Sequence, residues 1–273
     1  RGTLLVGYDV EKPTECRDFL ERMADIHEQM DAPCTVFALG SCLAAEPDAF
    51  EQAADCSRIE IAQHTWSHIP LKTVVMEDAS GVEVVRGAEP AQIEDEVQRT
   101  CKAIESICGV TCYGITGPWT YYRGLSDRPD LLDILHNCGI RYLRCYGRNE
   151  HDCQPVSVAL QPYWYSAQGY PDMLECMVHG WNDAYLRRLL TWCNLRGFLD
   201  QMQKDMDAAA EDHLVFSWCA HDWSSLREDP GLTLVRGVLT YALDIGMEVL
   251  SYGQYWARME AARTGLPGSR VLA

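Results

Sequence analysis

Two histidines four residues apart, in Gln63-His64-Thr65-Trp66-Ser67-His68, are the side chains of this sequence best suited to chemistry. They directly follow the short apolar run Ile59-Glu60-Ile61-Ala62. A helical turn after that run would put residues i and i+4 on one face. Two neutral imidazoles on one face can close on a single zinc ion or a similar first-row cation. The same spacing fits ordinary surface or core histidines, so what else converges there decides between the two. Polar groups also stand at or after the ends of other apolar runs: Asp9 and Glu11 after residues 3–8, the loop around Pro118 after 111–115, and His221 after 214–218.

These runs belong to an alternation that fills the chain. Residues 3–8, 34–39, 59–63, 111–115, 140–145, 214–218 and 248–251 read as strands. Residues 14–30 read as a helix, with Phe19, Leu20, Met23 and Ile26 at helical spacing. Further helices are expected over 44–54, 91–107, 129–137 (opened by Pro129), 183–210, 231–243 and 253–264. Residues 72–88 read as a loop or small insertion, and 156–178 as irregular or strand-like sequence. Such alternation implies a parallel sheet with right-handed crossovers, and the number of units suits a closed or nearly closed barrel. Barrel sites collect at the C-terminal ends of the strands. Asp9, His64, His68, the Pro118 loop and His221 should therefore meet at one mouth.

With 273 residues, the chain has room for one large α/β domain or at most two small ones. A net charge of −17 repels phosphate backbones and anionic membrane surfaces, which argues against nucleic-acid and membrane partners. No apolar run reaches membrane-spanning length. No signal-like apolar core is visible, so a cytoplasmic location is expected, although the sequence opens on Arg1 rather than Met. Thirteen cysteines form no CxxC pair. Several, such as Cys34, Cys112, Cys176 and Cys219, sit in or beside apolar segments and read as buried, reduced thiols, which points to a reducing compartment.

From Leu4 to about Tyr255, the order of these features resembles the polysaccharide deacetylases, the NodB-homology group of carbohydrate esterase family 4. The resemblance implies one catalytic domain over residues 1–273, folded as a distorted (β/α) barrel of about seven parallel strands. It also implies one divalent metal, zinc being expected and cobalt, nickel or manganese being alternatives. His64-Thr65-Trp66-Ser67-His68 matches the motif that supplies two metal ligands, with Thr65 where a side chain bonds back to shape the loop. Asp9-Val10-Glu11 looks like the branch that spaces its two acids by one residue. Carried over, Asp9 is the catalytic base and Glu11 the third metal ligand; the reverse assignment stays open, as does a capping role near Thr14. The stretch from Leu214 to His221 resembles the strand ending in the catalytic histidine that protonates the leaving amine. Asp172, Asp183 and Asp222 are candidates, by type, for the acid that orients it.

One motif departs from the pattern. Aligning on Pro118 puts Thr116 where the family carries the arginine of Arg-x-Pro. A threonine brings no charge, so the base would be tuned differently; the nearby Arg123 could reach in to replace it or be a surface residue, the favoured reading. Thr116, Trp119 and Tyr122 are the expected substrate contacts, within a region dense in aromatics that could wall a saccharide cleft or serve the core. The implied activity is hydrolysis of an N-acetyl group on an amino sugar, free or in a glycan. The metal, and a backbone N–H near Tyr122, would hold the oxyanion. A cyclic amide or imide hydrolase of the allantoinase-like branch would account for the missing arginine. A non-catalytic carbohydrate binder is the alternative from another class. The expected partner is a small molecule or glycan, and a homo-oligomer is left open.

Overall fold

The structure, a computed structural model, describes residues 1–78 and 81–265. In chain order its elements are β1 (Thr3–Val10), α1 (Cys16–Gln29), β2 (Cys34–Ala38), α2 (Gly40–Ala45), α3 (Pro47–Asp55), β3 (Ile59–Gln63), β4 (Val74–Asp78), β5 (Gly81–Val85), α4 (Pro90–Cys108), β6 (Gly114–Tyr122) and α5 (Pro129–Asn137). There follow β7 (Tyr142–Arg148), β8 (Tyr163–Tyr165), β9 (Tyr170–Glu175), α6 (Asp183–Leu190), α7 (Leu195–Glu211), β10 (Val215–His221), α8 (Asp222–Leu226), α9 (Thr233–Asp244), β11 (Glu248–Leu250) and α10 (Tyr252–Thr264). Seven strands run parallel in the order β10-β1-β2-β3-β6-β7-β9. Strand β8 adds antiparallel to β9, and β11 pairs with the first half of β1.

Closure is made by the chain that leaves β9. Cys176 and Val178 donate to Leu143 and Tyr146 of β7, and His179 N–H then donates to Ser217 of β10 at 2.9 Å. The His179 ring completes the join: Nδ1 accepts from Ser217 N–H at 3.0 Å while Nε2–H donates to the Leu160 carbonyl. The result is the distorted (β/α) barrel that the alternation implied.

Both faces of the sheet are covered, which is why its strands read as unbroken apolar runs. Along β1, Leu4, Val6, Tyr8 and Val10 face the helices, packing in one core with Phe19, Met23, Phe216 and Trp218. Leu5 faces inward, with Phe37, Ala62, Tyr142 and Leu174, over a plug of Tyr252, Tyr255 and Trp256 from α10. The inward row of β1 continues through Gly7 to Asp9. A Cβ on Gly7 would lie 2.6 Å from Arg144 Nη1 and 3.0 Å from the Phe37 ring, so glycine leaves the room in which Arg144 crosses the barrel.

Two expectations change in detail. Residues 72–88 contain an antiparallel hairpin, β4–β5, rather than only a loop. The expected helix over 183–210 is two helices, broken where Thr191 takes a φ of +70° and Asn194 caps α7 by accepting from Gly197 N–H. All thirteen cysteines are free thiols. Among the described residues, no helix is long and apolar enough to cross a membrane.

Candidate active site

Strand register assembles the site. Asp9, at the end of β1, is the register partner of His221 at the end of β10. Its Oδ2 lies 3.9 Å from His221 Nε2 and 3.9 Å from His64 Nε2. Glu11 lies just beyond β1, and Asp222 holds that turn by accepting the backbone N–H groups of Glu11 and Lys12 at 3.1 and 2.9 Å.

His64 and His68 converge by a different route from the helical turn expected. Residues 64–68 form a loop in which Thr65 and His68 both have a φ of +65°. The two rings lie 4.9 Å apart, nearly perpendicular at 75°. Glu96 of α4 clamps this loop: it accepts the N–H groups of Trp66 and Ser67, each at 2.9 Å, and the Ser67 hydroxyl at 2.5 Å. The Thr65 hydroxyl is buried with no hydrogen-bond partner among the described residues, so Glu96, not Thr65, shapes the loop. Sequence offered no signal for Glu96, which is one of many acids on an amphipathic helix.

His64 Nδ1 donates to the Thr116 carbonyl at 2.9 Å, which turns Nε2 toward Glu11. Glu11 Oε1 is 3.2 Å from His64 Nε2 and 3.0 Å from His68 Nε2. These ligand atoms, with the second carboxylate oxygen held elsewhere, fit a small divalent ion. Metal–ligand bonds of about 2 Å in a tetrahedral shell separate ligand atoms by roughly 3.3 Å. Glu11 Oε2 accepts the Trp223 indole N–H at 2.9 Å, a partner the sequence reading missed. Burial pushes the Glu11 carboxyl up, but His221, His64 and His68 outweigh it and hold the group well below the usual carboxylate range.

The cation absent from position 116 comes from the neighbouring strand. Thr116 and Arg144 are register partners on β6 and β7. Arg144 reaches across the interior, and its Nη2 makes a short bond to Asp9 Oδ1. Its Nε donates to the Thr116 hydroxyl at 3.2 Å, and that hydroxyl donates to the Arg144 carbonyl at 2.8 Å. Phe37 lies under the guanidinium, 4.5 Å from its carbon. Thr116 is therefore buried and occupied with Arg144 and His64, which corrects its expected place among the substrate contacts. Arg123 is exposed and takes no part in this pairing.

Of the three acids proposed to orient His221, the structure selects Asp183. Its Oδ1 takes His221 Nδ1–H at 2.6 Å and its Oδ2 the His221 backbone N–H at 3.0 Å. Asp172 pairs instead with His136 at 2.9 Å. Burial disfavours the His221 imidazolium, yet Asp183, Glu11 and Asp9 outweigh that and raise the group to about 10. Cys219, two residues back on β10, places its thiol 3.6 Å from Asp9 Oδ2.

Trp119 and Tyr122 are 40% and 41% exposed, so part of each ring is accessible to a ligand. Trp119 lies 6.1 Å from the His68 ring and Tyr122 6.1 Å from Tyr146. A cavity of about 430 Å³, lined in part by Arg58, Glu60, Tyr113 and Gln254, lies at the opposite end of the barrel, where strands begin. It contains none of the groups just described, and Glu60 there is bound by Tyr142, Thr35 and Gly253.

Comparison with known proteins agrees with this fold. The family model for polysaccharide deacetylase matches residues 3–143. Among solved structures, a candidate polysaccharide deacetylase from Mycobacterium smegmatis superposes with a TM-score of 0.69 at 16% identity, covering 97% of this chain and 91% of that one. A family 4 carbohydrate esterase from Streptomyces lividans, solved with acetate, gives 0.54 at 13% identity over 91% and 92% of the two chains. A CE4 family pseudoenzyme from Bacillus anthracis gives 0.60 at 12% identity over 94% and 66%. At such identities the structural likeness speaks for the fold alone. A comparison with curated proteins returned no match. The family model spans more than half of the sequence, and the chain belongs to the polysaccharide deacetylase family.

Proposed function

We propose that this chain is a metal-dependent hydrolase of amide carbon–nitrogen bonds, acting as one catalytic domain, that removes N-acetyl groups from an amino sugar or glycan. The observation that carries the reading is the placement of a base and an acid, 3.9 Å apart, beside a metal-ligand triad. Glu11, His64 and His68 would hold the ion, which supplies a Lewis acid for the amide carbonyl and lowers the pKa of water. Asp9 Oδ2 takes the proton of the attacking water, while Arg144 on Oδ1 keeps that carboxylate in place. His221 donates from Nε2 to the departing nitrogen, its Nδ1 fixed by Asp183. Trp119 and Tyr122 offer aromatic faces to a sugar ring. Arg144 removes the reason for preferring a cyclic amide or imide substrate, since the base keeps its cation.

Metal content at one equivalent, read together with acetate release from N-acetylated chito-oligosaccharides, tests the proposal. Wild type should retain one ion and release acetate. His64→Ala should bring that ion close to background in a protein that still folds. Asp9→Asn should keep the ion and lower turnover at least a hundredfold or so, whereas Glu11→Gln should weaken metal binding. Equal metal in wild type and His64→Ala sinks the site; metal loss in Asp9→Asn but not in Glu11→Gln exchanges the two acid roles.

A further inference from the structure

A second set of ligand atoms lies against the first. Asp9 Oδ2, Cys219 Sγ and His221 Nε2 all fall within 4.8 Å of one another, and the three residues are buried or nearly so. We propose that they form a second, weaker site for a soft divalent cation such as zinc or cobalt, and that an ion there blocks the site it adjoins.

The donor chemistry supports it. Thiolate, imidazole and carboxylate together are a zinc-type set, and sulfur biases the site against magnesium and calcium. Bonds of about 2.3 Å to sulfur and 2.0 Å to nitrogen or oxygen separate tetrahedral ligand atoms by roughly 3.3–3.6 Å. Asp9 Oδ2 is 3.6 Å from Cys219 Sγ and 3.9 Å from His221 Nε2, so these two edges need contraction by at most a few tenths of an ångström, and the Cys219–His221 edge, within 4.8 Å, closes by a side-chain adjustment of at most about 1.5 Å. His221 is already oriented for it: Asp183 holds Nδ1, the arrangement in which a carboxylate fixes a metal-binding imidazole through its other nitrogen. Asp9 offers Oδ2 because Arg144 takes Oδ1. Binding would displace the proton of the Cys219 thiol and any proton on His221 Nε2, leaving thiolate and neutral imidazole as ligands.

The same surroundings make this site the weaker one. Arg144 and an ion in the first triad both repel a second cation, and the two sets nearly touch: His221 Nε2 lies 3.9 Å from Glu11 Oε1 and Asp9 Oδ2 lies 3.9 Å from His64 Nε2. An ion there would take both proton-transfer groups as ligands. If the amide hydrolysis proposed above holds, zinc beyond one equivalent should lower turnover on the order of a hundredfold, the contribution of acid–base catalysis.

The test is a cobalt titration of metal-free protein followed by absorbance. The first equivalent should give visible bands without a thiolate-to-cobalt charge-transfer band in the near ultraviolet; the second should bring that band. Cys219→Ser should keep the first equivalent and lose the band. His64→Ala should lose the first ion yet still develop the band, which separates this assignment from failure of the Glu11–His64–His68 triad. A charge-transfer band that survives in Cys219→Ser arises from another cysteine and overturns the proposal. So does the lack of any band in wild type, a band that wild type already shows in full with its first ion, or loss of both ions in His64→Ala. Should Cys219→Ser not fold, Cys219→Ala serves for the same readout, and the His64→Ala titration decides independently of either.

Discussion

Arg144 gives Asp9 its cation from β7 rather than from β6, and strand register makes the exchange simple. Thr116 and Arg144 face each other across the ladder, so an arginine at either position points into the same part of the barrel. Thr116→Arg alone, which a missing charge would have recommended, should instead crowd a second guanidinium against Arg144 and destabilise the fold. Arg144→Thr should leave buried Asp9 Oδ1 without its guanidinium partner, with only His221 3.9 Å away on the Oδ2 side, at a cost of up to about 3–5 kcal/mol. Thr116→Arg combined with Arg144→Thr should recover part of both stability and turnover. Thermal melts and acetate release on the three variants check this, and a double variant no better than Arg144→Thr would show that the two positions are not equivalent. The histidine spacing, the two acids and His221 were legible from residue type and order. Arg144 had a signal too, a charge inside the apolar run Tyr142-Leu143-Arg144-Cys145, but which strand it faces depends on register, which the sequence does not print. Trp223 lay beside His221 in plain view, yet an indole is read as core unless a partner for its N–H is known.

At the scale of elements, strands and helices were largely legible because their period and caps are local. The hairpin β4–β5 and the loop at 64–68 were not, because each depends on contacts with distant residues: Asp152 accepts from Val75 N–H, and Glu96 holds the histidine loop. The break at Thr191 carries a local signal, the Asn194 cap on Gly197, inside an otherwise helical pattern. The join between β9 and β10 is of the same kind, and it makes stability depend on pH. Burial lowers His179 from 6.5 to about 4, with the bond to Leu160 opposing only in part. Its folded-state pKa is therefore below its unfolded value, so below about pH 6.5 the unfolded chain takes up the proton that the fold refuses. The contribution is intact above pH 6.5 and is lost as pH falls toward 4; at pH 5 one such histidine costs about 2 kcal/mol. His27, also lowered to about 4 by burial, adds in the same direction. Glu175, raised by burial to about 7, acts oppositely: it favours the fold when protonated, and that contribution is lost as pH rises through 7. Urea melts at pH 7.5 and pH 5 should show His179→Ala less stable than wild type at pH 7.5, with a smaller further loss at pH 5. An unchanged difference between the two pH values would remove His179 as a source of acid lability.

At the scale of the whole molecule, the site is where separate parts of the chain are pulled together. Glu11 follows β1, His64 and His68 follow β3, and His221 ends β10, so one ion at the Glu11 triad would tie together segments that follow β1 and β3, beside the end of β10. Convergence at one mouth was legible because parallel strands all end on the same side. Closure was expected from the number of strand–helix units, but the few bonds around His179 that make it were not. An ion at the triad also neutralises part of a chain with net charge −17. Binding to the folded state alone stabilises it by RT ln(1 + [L]/Kd), about 2.7 kcal/mol at a hundredfold excess over Kd. For a chain of this size that should raise the melting midpoint by roughly 5–10 °C. Thirteen cysteines and eight histidines in the unfolded chain would bind zinc too and blunt the gain. Manganese, which disfavours thiolates, should therefore give the cleaner linkage per unit of site occupancy. His64→Ala should abolish the manganese shift while Cys219→Ser retains it. A manganese shift that persists in His64→Ala would place the stabilising ion somewhere other than the Glu11 triad.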